Sequence, residues 1–405
     1  FTMPDNDVTC TYTNTRKTVT LQLKKQWSNA KIGDSASLTA TGIVNSATAA
    51  FDSTAGSANE LDAGTAVTVY AGEVATLGET VNPAANYTST GPVCTGTSGL
   101  SGSTLTVGAA DTTIVCTYTN TRKSTTLQLK KQWANANVGD TAALTATGIT
   151  NSAGAALNST AGSANELDAG SAVTVFAGEV ATLGETVNTA ANYTSAGPVC
   201  TNTSGLSGST LTVGAADGPI VCTYTNTRKQ GTLQVRKTWV NAQVGDSASI
   251  SVTGIVNAAT AGLNSTANSA NETDPGSVVA MYAGEMATFS ESVTPSANYT
   301  SSFECVASAG AAVGAAFAKA VGDTYTMPST PVDVVCTYTN TRKSTTLQLK
   351  KQWASANVGD TASLTATGIT NSAGAALSST ADTAGDLDSG AAVTVYAGEV
   401  ATLGE

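Results

Sequence analysis

The eight-residue string CTYTNTRK returns four times, at Cys10, Cys116, Cys222 and Cys336, with spacings of 106, 106 and 114 residues. A second string, LQLKKQW or LQVRKTW, begins at Leu21, Leu127, Leu233 and Leu347. Residues 124–161 and 344–381 differ at only three positions, Asn135/Ser355, Ala143/Ser363 and Asn158/Ser378. A period above 100 residues is too long for one solenoid turn and matches a whole domain. The chain therefore reads as a tandem array. Residues 17–122, 123–228 and 229–342 are complete repeats, the third with a longer loop between its cysteines. Residues 1–16 read as the C-terminal strand of an upstream repeat, and 343–405 as the N-terminal part of another. Phe1-Thr2-Met3-Pro4 is similar to Tyr325-Thr326-Met327-Pro328, so the upstream repeat is expected to be of the longer type, inside a longer array.

Within one period the apolar residues alternate with polar ones in short runs bounded by Gly, Asn, Asp and Ser, the pattern of half-buried strands. In the first complete repeat the runs fall near 18–27, 35–44, 65–71, 73–80, 86–94, 103–107 and 113–121. No stretch keeps a helical period for more than a turn or two. Seven short strands in about a hundred residues predict an all-β, immunoglobulin-like (prealbumin-like) sandwich. Aromatics at 5% and charged residues at 12% allow no single large core, which suits several thin sandwiches. Between copies only Arg122, Lys123 and Ser124 separate the last strand from the next, with no Gly/Ser or Pro-rich linker. Such close stringing predicts an extended, fairly stiff rod.

The net charge of −11 repels nucleic acid and anionic lipid, so neither is expected as a partner. No apolar run approaches the length of a membrane helix, and no membrane insertion is expected in this region. With no histidine, no GxSxG, no phosphate loop and no Cys-x-x-Cys spacing, the sequence supports neither catalysis nor a metal or cofactor site.

The seven cysteines fall two to a complete repeat, Cys94 with Cys116, Cys200 with Cys222 and Cys305 with Cys336, leaving Cys10 unmatched. This arithmetic fits one disulfide per repeat, and hence an oxidising, extracellular compartment. Buried free thiols are the alternative.

Along the first strand Val19, Leu21, Leu23, Lys25 and Trp27 share one parity, so Lys25 faces the way the leucines do. The preceding column holds Arg236 in the third copy, yet Lys25, Lys131, Lys237 and Lys351 are lysine in all four. Leu77 and Glu79 share a face, followed by Tyr87 in the phrase ETVNPAANYT, and Cys116, Tyr118 and Asn120 share a face of the last strand. This order resembles the prealbumin-like, collagen-adhesin B-type (SpaA-like) repeat domains of bacterial surface adhesins and pilins, in the disulfide-bearing branch that ends in Cys-x-Tyr-or-Phe-x-Asn. Two departures stand out: Thr189 replaces Pro83 in the second copy, and Asn86 stands where the family has Gly before Tyr.

The resemblance implies a covalent lock, an isopeptide bond from the lysine amine to the asparagine side chain with the glutamate assisting. The candidate triads are Lys25–Glu79–Asn120, Lys131–Glu185–Asn226 and Lys237–Glu291–Asn340. Lys351 and Glu405 would await an asparagine downstream, and Asn14 would pair with an upstream lysine. Burial favours a neutral amine and a protonated carboxyl, the states such chemistry needs. The alternative is a lysine that snorkels to the sheet edge and an asparagine that caps the strand.

The Asn59–Gly64 segment, NELDAG, returns in later copies as NELDAG, NETDPG and GDLDSG and reads as a tight turn before a strand rather than a calcium loop. Trp27, Trp133, Trp239 and Trp353 read as core or inter-repeat packing rather than sugar platforms. The function expected is a structural stalk or fibre region of a bacterial cell-surface adhesin or filament. Its partners would be neighbouring repeats of the chain and other copies in a fibre. The alternatives are repeats that themselves bind a host, glycan or matrix ligand, or that associate laterally into a fibril.

Overall fold

The computed structural model describes residues 1–309, 317–319 and 324–405. Residues 310–316 and 320–323, in the longer cysteine loop of the third repeat, lie outside the described residues. The chain separates into two compact units. The first comprises Phe1–Trp133, Val138–Asn188 and Ser195–Thr225; the second comprises Ala134–Asn137, Thr189–Thr194 and Asn226–Glu405.

In the first unit, residues 18–122 build two sheets. The strands are β1 (Thr18–Ser28), β2 (Ser35–Thr41), β3 (Phe51–Thr54), β4 (Glu60–Ala63), β5 (Val67–Tyr70), β6 (Val74–Asn82), β7 (Tyr87–Thr95), β8 (Leu100–Ser101), β9 (Thr104–Thr106) and β10 (Ile114–Arg122). One sheet runs β4-β1-β10-β7 with β5 also on β1, and the other runs β3-β2-β6-β9-β8. All pairings are antiparallel except β1 with β10, which is parallel. Leu21, Leu23 and Trp27 of β1 and Ile114 and Cys116 of β10 share one buried cluster with Leu38 of β2, Leu77 of β6 and Leu105 of β9. The inner faces of the two sheets thus make one core, an all-β sandwich.

The sequence reading missed three short strands, β3, β4 and β8. The segment Asn59–Gly64 is not a tight turn, because Glu60–Ala63 forms β4 against β1. Glu60 closes the bend before it instead, its carboxylate accepting from the backbone N–H groups of Gly56 at 2.7 Å and Ser57 at 3.0 Å. That bend delivers the chain to β1 in register, with Asp62 opposite Lys25.

The third repeat, in the second unit, repeats the plan. One sheet holds Glu272–Tyr282, Gln230–Val240, Asp333–Arg342, Tyr299–Ala309 and Phe317–Lys319, and the other holds Leu263–Thr266, Ser247–Thr253, Met286–Thr294 and Thr324–Thr326. Gln230–Val240 and Asp333–Arg342 are again parallel. Disulfides join Cys94 to Cys116, Cys200 to Cys222 and Cys305 to Cys336, across spans of 22, 22 and 31 residues. Closing a loop of the shorter span stabilises a domain by about 3 kcal/mol on the chain-entropy account. Cys10 is exposed and free.

A single residue, Lys123, lies between β10 and the next strand, Ser124–Ala134. Its backbone is tied on both sides: Lys123 N–H donates to Asn86 O and Ala177 N–H donates to Lys123 O, each at 2.9 Å. Gly178 follows with φ of +78°, and a Cβ there would come within 2.7 Å of Asn86 Nδ2. Glycine is required at this contact both by its backbone conformation and by the close approach.

Candidate functional site

Alternation along β1 buries Val19, Leu21, Leu23, Lys25 and Trp27 in turn, and Lys25, Lys131 and Lys237 are each 0% exposed. A long cationic side chain inside a sandwich needs a counter-charge. Glu79 of β6 supplies it from the facing sheet, with Lys25 Nζ 3.2 Å from Glu79 Oε1. The same pair stands at 3.1 Å between Lys131 and Glu185, and at 3.5 Å between Lys237 and Glu291. Each ammonium also donates to a backbone carbonyl next to it, Gln26 O, Gln132 O and Thr238 O. Lys351 and Glu405 form the corresponding pair at 2.6 Å in a more exposed setting.

The parallel register brings the asparagine to this pair. Lys25 lies opposite Tyr118 and Trp27 opposite Asn120, so Asn120 sits one core position beyond Lys25 on the adjacent strand. Lys237, Tyr338, Trp239 and Asn340 have the same register. Asn120, Asn226 and Asn340 are fully buried. In the third repeat Asn340 Nδ2 donates to Glu291 Oε1 at 3.1 Å, so one carboxylate oxygen faces both lysine and asparagine. Asn340 Oδ1 and both amide atoms of Asn120 and Asn226 have no hydrogen-bond partner. Leaving such a group buried and unpaired costs about 1–3 kcal/mol.

Electrostatics follow the burial. Desolvation holds Lys25 and Lys131 below the usual lysine range, against the opposing pull of Glu79 and Glu185. Lys237 is drawn down to about 8 for the same reason, against Glu291 and Asp274. Desolvation also pushes Glu291 upward, against Lys237 and Asn340. Both shifts move the pair toward neutral amine and neutral acid.

A testable consequence follows for Asn340→Ala, which keeps Lys237 unjoined. A lysine with a folded pKa near 8 and an unfolded value near 10.5 binds fewer protons when folded. Stability of the third repeat should therefore rise from about pH 8 to about pH 9.5, by up to about 2 kcal/mol. Buried Tyr338, pushed up to about 12, acts with the opposite sign only above the ordinary tyrosine value of 10. Thermal unfolding across that window, set against the Lys237→Met/Asn340→Ala double variant, reads the effect. A falling midpoint in the lysine-bearing chain would contradict it.

Sequence reasoning missed two residues of this neighbourhood. Ser53 of β3 accepts from Trp27 Nε1 at 2.7 Å and donates to Asp62 Oδ2 at 2.6 Å. The relay Trp–Ser–Asp returns with Ser159 and Asp168, Ser265 and Asp274, and Ser379 and Asp388. It fixes the indole plane, whose face lies 4.3 Å from Lys25 Nζ. The available signal was the return of the same Ser and Asp in every copy, inside segments otherwise read as loop.

No known family profile matches the sequence, and no curated protein matches it. Among solved structures the chain is similar to the major pilin T-13 of Streptococcus pyogenes, at 11% identity and a TM-score of 0.32, covering 54% of this chain and 97% of that one. It is similar to the Bacillus anthracis TIE protein at 9% identity and 0.33, covering 80% of this chain and 51% of that one. It is also similar to the pilus adhesin SpaC of Lactobacillus rhamnosus GG at 14% and 0.25, covering 81% and 44%. The sandwich of the first repeat and that of the third each enclose a buried lysine, its glutamate and a buried asparagine.

Proposed function

We propose that the chain is a stalk or fibre-forming region of an extracellular bacterial surface protein, braced inside each repeat by a disulfide and a lysine–asparagine cross-link. The observation that carries this reading is the fully buried lysine beside a glutamate and a fully buried asparagine, found in the first repeat and again in the third. In the cross-linking step the neutral Lys Nζ attacks Asn Cγ. The Cγ–Nδ2 bond breaks, a Cγ–Nζ amide forms, and ammonia leaves. The glutamic acid protonates the developing leaving group and recovers the proton released by the amine. Each site reacts once, so this is self-modification rather than turnover.

A bond between first and last strands carries tension across the sandwich without unfolding it, which suits a load-bearing stalk. Disulfides persist in oxidising surroundings, which supports the extracellular assignment. Short tethers such as Lys123 support a stiff arrangement of repeats, with the neighbouring repeats as the principal partners. Small-angle scattering of the whole chain tests the rod. A compact chain of this length has a radius of gyration of about 22 Å. End-to-end sandwiches of roughly 30–45 Å each give roughly 30–45 Å instead. A value near the compact figure would overturn the rod.

A further inference from the structure

Where the first repeat meets the second, inside the first unit, an open groove of about 540 Å³ lies between Lys31 and Ile32 on one side and Thr150, Glu179 and Val180 on the other. Arg122, only 6% exposed, forms its buried wall. Its Nε donates to Ala177 O at 2.7 Å and its guanidinium stands 5.8 Å from the Phe176 ring centre. The second unit holds a matching groove of about 480 Å³, where Gln243, Arg342, Thr370 and Glu399 take the corresponding places. Arg342 is anchored the same way, with Nε donating to Ala397 O at 2.7 Å.

The two grooves differ in what meets the arginine Nη2. Arg342 Nη2 donates to Gln243 Oε1 at 2.8 Å. Arg122 Nη2 is buried with no acceptor. The residue in the place of Gln243 is Lys31, which carries donors and no acceptor. Glu179 does not substitute. Its Oε1 accepts from the backbone N–H and hydroxyl of Thr150, and its Oε2 from Phe176 N–H. A buried guanidinium N–H without an acceptor, beside an exposed ammonium, is half of an oxyanion site.

We infer that this first groove binds a carboxylate, one oxygen taking the place that Gln243 Oε1 holds in the other groove and Lys31 Nζ closing on the second oxygen. A planar carboxylate oxygen reproduces the amide oxygen of Gln243. The Glu179 charge in the same groove disfavours a dianion such as phosphate or sulfate more strongly than a monoanion. Ile32, 71% exposed, and Val180, 46% exposed, offer apolar surface to the ligand's carbon frame.

The test is titration of the full chain with propionate, following the side-chain Nε–H correlations of Arg122 and Arg342 by NMR. Arg122 should respond with a Kd on the order of 1 mM, while Arg342 stays still. Lys31→Gln, which installs the residue of the other groove, should weaken the Arg122 response at least tenfold. Gln243→Lys should make Arg342 respond. Both positions are at the groove rim, so neither change threatens the fold. An Arg122 signal unmoved at about 50 mM propionate, far above that Kd, overturns the site. So does a Lys31→Gln chain that responds as wild type. An equal response to sulfate overturns the carboxylate assignment, and a response that appears only as protein concentration rises would assign the groove to acidic side chains of a second copy instead.

Discussion

Intact mass measured after reduction should fall about 17 Da short of the sequence mass for each repeat that has joined its lysine to its asparagine, about 51 Da for three complete triads. The deficit is the ammonia expelled when the side-chain carboxamides of Asn120, Asn226 and Asn340 acylate Lys25, Lys131 and Lys237. Glu79→Ala should restore about 17 Da by removing the proton carrier of the first repeat. That variant also leaves Lys25 without its counter-charge, at a cost of about 3–5 kcal/mol. Asn120→Ala provides the second arm, since it removes the electrophile and keeps the Lys25–Glu79 pair. The bond would close a loop of 95 residues between Lys25 and Asn120, worth about 4–5 kcal/mol. For one repeat that amounts to roughly 20 °C or more in melting temperature. A wild-type chain at its full sequence mass would reduce the triad to an ion pair beside a buried amide.

Trp27→Ala should cost the first repeat about 3–5 kcal/mol, the second large effect. The indole is fully buried, meets Tyr87 edge-on with ring centres 5.4 Å apart, and covers the Lys25 ammonium with its face. Its removal opens a cavity and strips the cation of its aromatic neighbour at once. Ser53→Ala separates these contributions. It leaves the ring in place but unpairs the indole N–H and one oxygen of Asp62, for about 1–3 kcal/mol. Hydrogen exchange of the first repeat's amides, with the third repeat of the same chain as internal reference, reads both losses locally. Trp27→Ala exchange indistinguishable from wild type would mean that the ring fills space the core can close without it.

Much of the architecture is legible in the sequence, and the reason is periodicity. The spacing of CTYTNTRK marks the repeats, and the parity of Val19, Leu21, Leu23, Lys25 and Trp27 places a lysine on the core side of a strand. Both follow from rules that act within a few residues, because a strand alternates its faces whatever lies across from it. The all-β class follows from the same local alternation.

Tertiary structure alone decided which strands lie side by side. The parallel pairing of β1 with β10 sets Asn120 one core position from Lys25, across 95 residues of chain. Strands β3 and β4 escaped the sequence reading because polar residues, Ser53 in β3 and Glu60 and Asp62 in β4, stand at inward positions and break the apolar alternation. Yet β3 carries Ser53 and β4 carries Asp62, and their relay exists only once β4 docks beside β1. The difference between Lys31 and Gln243 likewise looks like a neutral surface change in the sequence. It acquires meaning only where Arg122 and Arg342 are held against the following repeat, because a buried guanidinium must find an acceptor and an exposed one need not. Local alternation determined what faces inward, and long-range pairing determined what it meets there.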